Sequence, residues 1–373
     1  VRLLVALVSI GVATGQLSTP LAAAAAGRQG VPAGVERAAP APSRRVVAYF
    51  PTFARDDGYS ESDIDFSVVT VVAHWSVAPR ADGSLLLPAH FPDPALVTRT
   101  HAAGARIVLV VGDDQATTAR ALSTIVASAA LRQTLADNLL RLVQQNGYDG
   151  IDIDWEYPQS RADGDGLTAL ASLLRAALGP ARTLSLAAEP GDWGAHYVDV
   201  AALGPLVDWF GLMTYQYAGP AWSQAAQHDA PLFSTAQQEA SVAATVAYFR
   251  GRGVDPAKLL IGLPFFGERF DGAGALYGPL TNAGGGDITY RAVAALPTGQ
   301  WTAQRDAAAG VPYLLRADGA PGVISYDDAA SIAAKCRYAV TQQLGGAIIW
   351  RLGQDGVGPP AAQPLLQAAR GCR

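Results

Sequence analysis

Short, uninterrupted apolar runs recur along the chain at 46–50, 68–74, 106–111, 150–154, 184–188, 209–214, 259–264 and 346–350. They are rich in Val, Ile and Leu and are continuous rather than alternating, as in parallel strands covered on both faces by other elements. Amphipathic stretches of helical length lie between several of them, at 116–146, 166–178, 235–252 and 327–343. Eight alternations of strand and helix predict an α/β fold, the (β/α)8 or TIM barrel. The interval between the seventh and eighth strands is longer than one helix needs. Residues 270–322 carry Gly-rich turns, the strand-like Ile288-Thr289-Tyr290 and Tyr313-Leu314-Leu315, and further aromatic pieces. A small inserted α+β subdomain on the rim is expected there rather than a structureless loop.

The end of the fourth apolar run departs from the others. Asp149, Asp152, Asp154 and Glu156 place four carboxylates in eight residues. Successive strand side chains point to opposite faces, so Asp152, Asp154 and Glu156 share one face and Ile151, Ile153 and Trp155 the other, with Asp149 out of register. Mutual repulsion in such a row raises some of the pKa values, which is what a general acid working near neutral pH needs. Taken alone, the same alternation also suits a solvated acidic face or a cation site. An EF-hand loop is excluded by order, because Gly150 follows the first Asp instead of the third ligand position. In barrels of this kind catalytic groups gather at the C-terminal ends of strands. Met213-Thr214-Tyr215-Gln216-Tyr217 ends the sixth run and Trp350 the eighth. Three strand ends converging in polar or aromatic residues favour a site over a wet face.

Composition narrows the ligand. Half of the 373 residues are hydrophobic and 16% are charged, a globular balance with a large core. The net charge of -5 argues against a nucleic-acid partner, which needs a basic stripe. The five histidines, His74, His90, His101, His196 and His228, form no metal-binding spacing, and neither a metal nor a cofactor is expected. Arg2, the apolar run 3–12 and the small residues at 21–26 form the pattern of a signal peptide over 1–26, too short and broken to span a bilayer. An Ala/Pro/Gly-rich linker is expected over 27–45 and one catalytic barrel over 46–373, in a secreted, extracellular protein, monomeric and without a membrane anchor after cleavage. Cys336 and Cys372 are too few and too far apart for a metal knuckle; export leaves a disulfide between them or two unpaired thiols as the alternatives.

At these residues the chain resembles glycoside hydrolase family 18, the chitinases and their relatives. Asp149, Gly150, Asp152, Asp154 and Glu156 fill the D-G-x-D-x-D-x-E signature, followed by Tyr157 and Pro158. The similarity runs from Val46 to Asp355 and includes Leu263-Pro264-Phe265-Phe266-Gly267, Ser325-Tyr326-Asp327-Asp328 and the run from Leu344 to Trp350. The resemblance implies hydrolysis of β-1,4-linked N-acetylglucosamine polymers with retention, the substrate supplying its own nucleophile. By resemblance, Glu156 protonates the glycosidic oxygen, and the 2-acetamido carbonyl attacks the anomeric carbon to give an oxazolinium ion. Asp154 then holds the acetamido N–H, Asp152 shares a proton with Asp154, and Tyr215 donates its hydroxyl to the acetamido oxygen. The strand geometry agrees, since Asp154 and Glu156 lie roughly 7 Å apart along one strand and cannot address opposite faces of one bond. Trp350 would stack on the pyranose as the floor of the cleavage subsite. Met213, Gln216 and Tyr49 would contact the sugar, and Tyr217, Trp222 and Trp193 are further groove candidates.

The resemblance breaks at three positions. Val110 and Asp113 stand in the family's S-x-G-G segment and Gln216 replaces an Asp. Val110 removes a hydroxyl that would bind Asp152, which must then rely on Tyr49 or water. A chitinase acting on chitin or N-acetylglucosamine oligosaccharides is the leading reading. An endo-β-N-acetylglucosaminidase acting on N-glycans or peptidoglycan-type glycans is the enzymatic alternative, and a chitin-binding lectin the non-catalytic one.

Overall fold

The computed structural model describes residues 44–191 and 196–373. The expected leader and all but the end of the linker lie outside the described residues, as does Trp193. The strands are β1 (Arg45–Pro51), β2 (Val71–Pro79), β3 (Leu85–Leu86), β4 (Arg106–Asp113), β5 (Gly150–Trp155), β6 (Thr183–Ala188), β7 (Trp209–Leu212) and β8 (Leu259–Pro264). They continue with β9 (Phe266–Phe270), β10 (Gly285–Thr289), β11 (Trp301–Asp306), β12 (Val311–Arg316), β13 (Val323–Tyr326) and β14 (Gly346–Trp350).

Eight of these close a parallel barrel in the order β1-β14-β8-β7-β6-β5-β4-β2, and β1 pairs with β2 to complete the ring. This is the expected (β/α)8 fold. The apolar residues divide between two layers. Ile151, Ile153 and Trp155 of β5 pack outward with Leu122 and Leu170 of the surrounding helices, whereas Val47, Val108, Val110, Leu260 and Ile348 fill the barrel interior. Each such buried side chain contributes about 1.5–3 kcal/mol relative to an exposed one, which fixes the register and hence the face on which the carboxylates fall.

Several boundaries differ from the sequence expectation for identifiable reasons. The expected helix 116–146 is two helices, Ala116–Val126 and Ala129–Asn146, because the Ser128 hydroxyl accepts from the Leu131 N–H and caps a new start. The helix expected from 166 starts at Arg161, capped by Ser160. Its early glycines permit close packing: a Cβ on Gly164 would strike the Tyr197 carbonyl, and one on Gly166 the Val126 side chain. The helix expected from 235 starts at Val242, where Ser241 caps it, and Ala329–Thr341 is capped by Asp328 in a reciprocal box with Ser331.

Between β8 and β14 the chain builds a five-stranded antiparallel sheet, ordered β10-β9-β13-β12-β11, with a short helix at Tyr290–Ala294. The sheet reaches from Phe266 to Tyr326 and so begins and ends four residues beyond the expected 270–322. Cys336 and Cys372 are joined, tying the last turn of the chain to the helix before β14.

Candidate active site

β5 sits between β4 and β6, and Asp152 and Asp154 point into the barrel at 2% and 3% exposure. Glu156 follows immediately at the mouth. Gly112 of β4 opposes Asp154; a Cβ at this position would run into the Asp154 carbonyl, so only glycine allows the two strands to approach there. The Trp75–Ser76, Glu156–Tyr157 and Trp350–Arg351 peptides, all at this end of the barrel, are cis.

The three acids are held by neighbours brought in through strand register. Tyr49 on β1 donates its hydroxyl to Asp152 Oδ2 at 2.7 Å, and Ser185 on β6, the register partner of Asp152, donates to Oδ1. Trp75 on β2 donates its indole N–H to Asp154 Oδ2 at 2.8 Å. Asp154 Oδ1 is buried and has no hydrogen-bond partner. Tyr157 hydrogen-bonds Glu156. Asp149 serves the scaffold: its Oδ2 accepts from the Ile107 N–H at 2.8 Å and lies 3.0 Å from His101 Nε2.

Burial, more than mutual repulsion, sets the protonation of this row. It pushes Asp152 up to about 6 against the lowering hydrogen bonds of Ser185 and Tyr49. Asp154 is raised well above the carboxylate range, first by burial and then by the charges of Glu156 and Asp152. Glu156 is pushed up to about 6 by burial, offset in part by the Tyr157 hydrogen bond and reinforced by Asp114 and Asp113. The sequence reading gave repulsion the leading part; enclosure by the barrel is the larger cause. A carboxyl poised near 6 at a pocket mouth can both give and take a proton near neutral pH.

One pocket brings the candidates together. Its lining includes Tyr49, Trp75, Asp154, Glu156, Tyr157, Met213, Tyr215, Gln216, Asp287 and Trp350. Trp350 packs edge-on against Tyr49 at 5.6 Å and Trp75 at 5.2 Å between ring centroids, which holds its indole in place. Tyr215 is buried beneath the pocket against Phe266. Two further aromatic candidates lie elsewhere: the Tyr217 hydroxyl bonds Ser241 and Thr245, and Trp222 is exposed and absent from the pocket lining.

Sequence reasoning missed Trp75, Ser185 and Asp287. Ser185 carries a legible signal, a lone hydroxyl inside the apolar run Leu184-Ser185-Leu186. Trp75 follows the alternation of Val71 and Ala73, which turns it into the barrel interior, but nothing in its own segment marks its indole as the donor to an acid on β5. Val110 faces Asp152 in register, as expected, and the hydroxyl it lacks is supplied from the opposite neighbour by Ser185.

Comparison with known proteins gives a consistent picture. The chain is 32% identical over 270 residues to chitinase A1 of Niallia circulans, covering 62% of this chain and 38% of that protein. It is 30% identical over 298 residues to chitinase B of Serratia marcescens, covering 62% and 59%. The matches thus span less than two thirds of the length of these relatives. Among solved structures, a group IV chitinase of Ostrinia furnacalis in complex with allosamidin superposes with a TM-score of 0.80 at 25% identity, covering 88% of this chain and 98% of that one. The model of the glycosyl hydrolases family 18 matches residues 46–355, and the chain therefore belongs to that family.

Proposed function

We propose that this chain is a glycosidase, a chitinase that cleaves β-1,4-linked N-acetylglucosamine chains with retention through an oxazolinium ion formed by the substrate's own acetamide. The observation that carries this reading is the unpartnered Asp154 Oδ1, buried beside Glu156 while Trp75 occupies the other oxygen. A buried acceptor without a donor is costly, by about 1–3 kcal/mol, and an acetamido N–H presented from the pocket would satisfy it. Glu156 protonates the leaving oxygen and later activates water; Asp154 orients the acetamide and offsets the positive charge of the ring; Asp152 shares the pair's proton. Tyr215 directs its hydroxyl to the acetamido oxygen, Trp350 forms the floor, and Met213, Gln216 and Tyr49 line the walls. The similarity to two named chitinases over 62% of the chain supports the substrate class.

The protein acts outside the cell in this reading. The leader-like pattern of residues 1–26 and the Cys336–Cys372 bridge, which persists in oxidising compartments, support export, and among the described residues no helix is long and apolar enough to cross a membrane.

The test is product analysis by mass spectrometry with chitohexaose and, in parallel, a high-mannose N-glycopeptide. Shorter chito-oligosaccharides from the hexamer alone are expected. Release of the glycan alone would replace the chitinase by an endo-β-N-acetylglucosaminidase, and binding without cleavage would make the chain a lectin. Glu156→Gln is expected to abolish turnover while oligosaccharide binding persists; retained cleavage would remove Glu156 from the role of acid.

A further inference from the structure

One wall of the pocket carries more carboxyl groups than the mechanism uses. Asp287 on β10 is exposed at the pocket, and its register partner on β9 is Glu268. Glu268 is 1% exposed and hydrogen-bonds Asp287, while its Oε2 has no partner. Asp229, also 1% exposed, accepts the Gln216 N–H on Oδ1 at 2.7 Å, and its Oδ2 has no partner. Gln216 completes the wall: its backbone is held at φ +53°, an uncommon conformation for a residue other than glycine, and its amide donates to Asp287 Oδ1 at 3.3 Å.

The cations nearby are engaged elsewhere. Lys335 is paired with Asp327, Arg269 with Asp271, and Arg351, which also lines the pocket, with Asp57. Burial keeps Asp229 and Glu268 protonated, at about 8 and about 10, so their enclosure is tolerated without a counter-charge. Asp287, at the open end, has no cation bonded to it among the described residues. At the pocket surface the wall therefore presents one carboxylate, Asp287, beside the Gln216 amide, with Glu268 and Asp229 buried behind the lining, an arrangement suited to a donor with positive charge.

We propose that Asp287 and Gln216 form a subsite for the free ammonium of a glucosamine residue, so that the chain favours partly deacetylated strands with glucosamine at one fixed position relative to the cut. This rests on the reading of the pocket as a cleavage site for amino-sugar chains. The sugar that is cut must keep its acetamide, since that group is the nucleophile, so the glucosamine lies in a neighbouring position. An ammonium brings three donors and a charge, whereas an acetamide brings one N–H and no charge. The Asp287 carboxylate and the carbonyl end of Gln216 match the first, whereas the second leaves the carboxylate without a counter-charge.

The experiment compares binding and cleavage of fully acetylated chitohexaose with those of hexamers containing single glucosamine residues, in the wild-type chain and in Asp287→Asn. Calorimetry with the Glu156→Gln form reads affinity, and mass spectrometric sequencing of products from the active form reads position. About five- to tenfold preference for one glucosamine position is expected, the size of a charge-assisted hydrogen bond in a half-open site. It should fall towards unity in Asp287→Asn and, in the wild type, on going from about 0.05 M to about 0.5 M salt. Equal affinities for all hexamers, or a preference that survives Asp287→Asn, would overturn the proposal. If chitohexaose is bound and never cut, the cleavage reading fails instead, and the affinity comparison still decides the subsite by the same criteria.

Discussion

Removing the Ser185 hydroxyl offers a quantitative test of how the acid row is tuned. Asp152 sits at about 6 because burial raises it while Ser185 and Tyr49 hold it down. A hydrogen bond to a charged group is worth about 1.5–3 kcal/mol, so Ser185→Ala should raise the ionisation of the Asp152–Asp154 pair by roughly 1–2 pH units. Glu156, at about 6 through its own burial, keeps its value. If the acidic limb of the rate profile follows the pair and the basic limb follows Glu156, the active fraction at the optimum is the overlap of the two titrations. With both limbs near 6 that overlap is about one quarter at pH 6; raising the acidic limb by one unit cuts it to about one seventeenth near pH 6.5, and by two units to about one in 120 near pH 7. The optimum should thus move up by about half to one unit while the peak falls about four- to thirtyfold. The assay is kcat/KM for chitohexaose across the pH range. Val110→Ser in the Ser185→Ala background should restore the profile, because Val110 faces Asp152 from the other side. An optimum that stays put in Ser185→Ala would refute the claim that this hydroxyl sets the ionisation of the pair.

Three further outcomes are expected. Trp75→Phe keeps a ring in the pocket but removes the donor to Asp154 Oδ2, and should lower kcat for chitohexaose by about tenfold or more with little loss of fold, checked by turnover and circular dichroism. Glu189, 5% exposed at the end of β6 with both carboxyl oxygens unpartnered, is pushed up to about 8, chiefly by burial and then by Glu156. Its folded value lies above its unfolded one, so the proton it holds supports the fold below about pH 4.5, and that support is lost as pH rises through about 8. Glu189→Met should therefore gain in melting temperature over wild type by roughly 5 °C more at pH 8 than at pH 5; an equal gain at both pH values would mean that the carboxyl is solvated. Cys336→Ser with Cys372→Ser opens a loop of 36-residue separation and should cost about 3–4 kcal/mol in denaturant unfolding, whereas an unchanged midpoint would show that the C-terminal turn adds nothing to the barrel's stability.

The amino-acid sequence by itself determined the alternation of eight buried strands with helices, and it determined which residues of β5 face inward, because a period of two leaves Asp152 and Asp154 no choice once Ile151, Ile153 and Trp155 are committed to the helices. It also carried the signature that marks the family. What holds those acids was decided by tertiary structure: Tyr49, Trp75 and Ser185 lie 103, 79 and 33 residues from the carboxylates they bond, and only the closure of the barrel and the register of its strands bring them together. The alternation of β2 turns Trp75 inward with Val71 and Ala73, yet which carboxylate its indole meets depends on how β2 lies against β4 and β5 across the closed barrel. The same holds for the carboxyl wall. Gln216 stands out in sequence as the residue that replaces an Asp, but Asp229, Glu268 and Asp287 come from other segments and each reads in sequence as an ordinary polar residue. Only the pairing of β9 with β10 stacks Glu268 behind Asp287, and burial, which no local pattern encodes, then sets their charge.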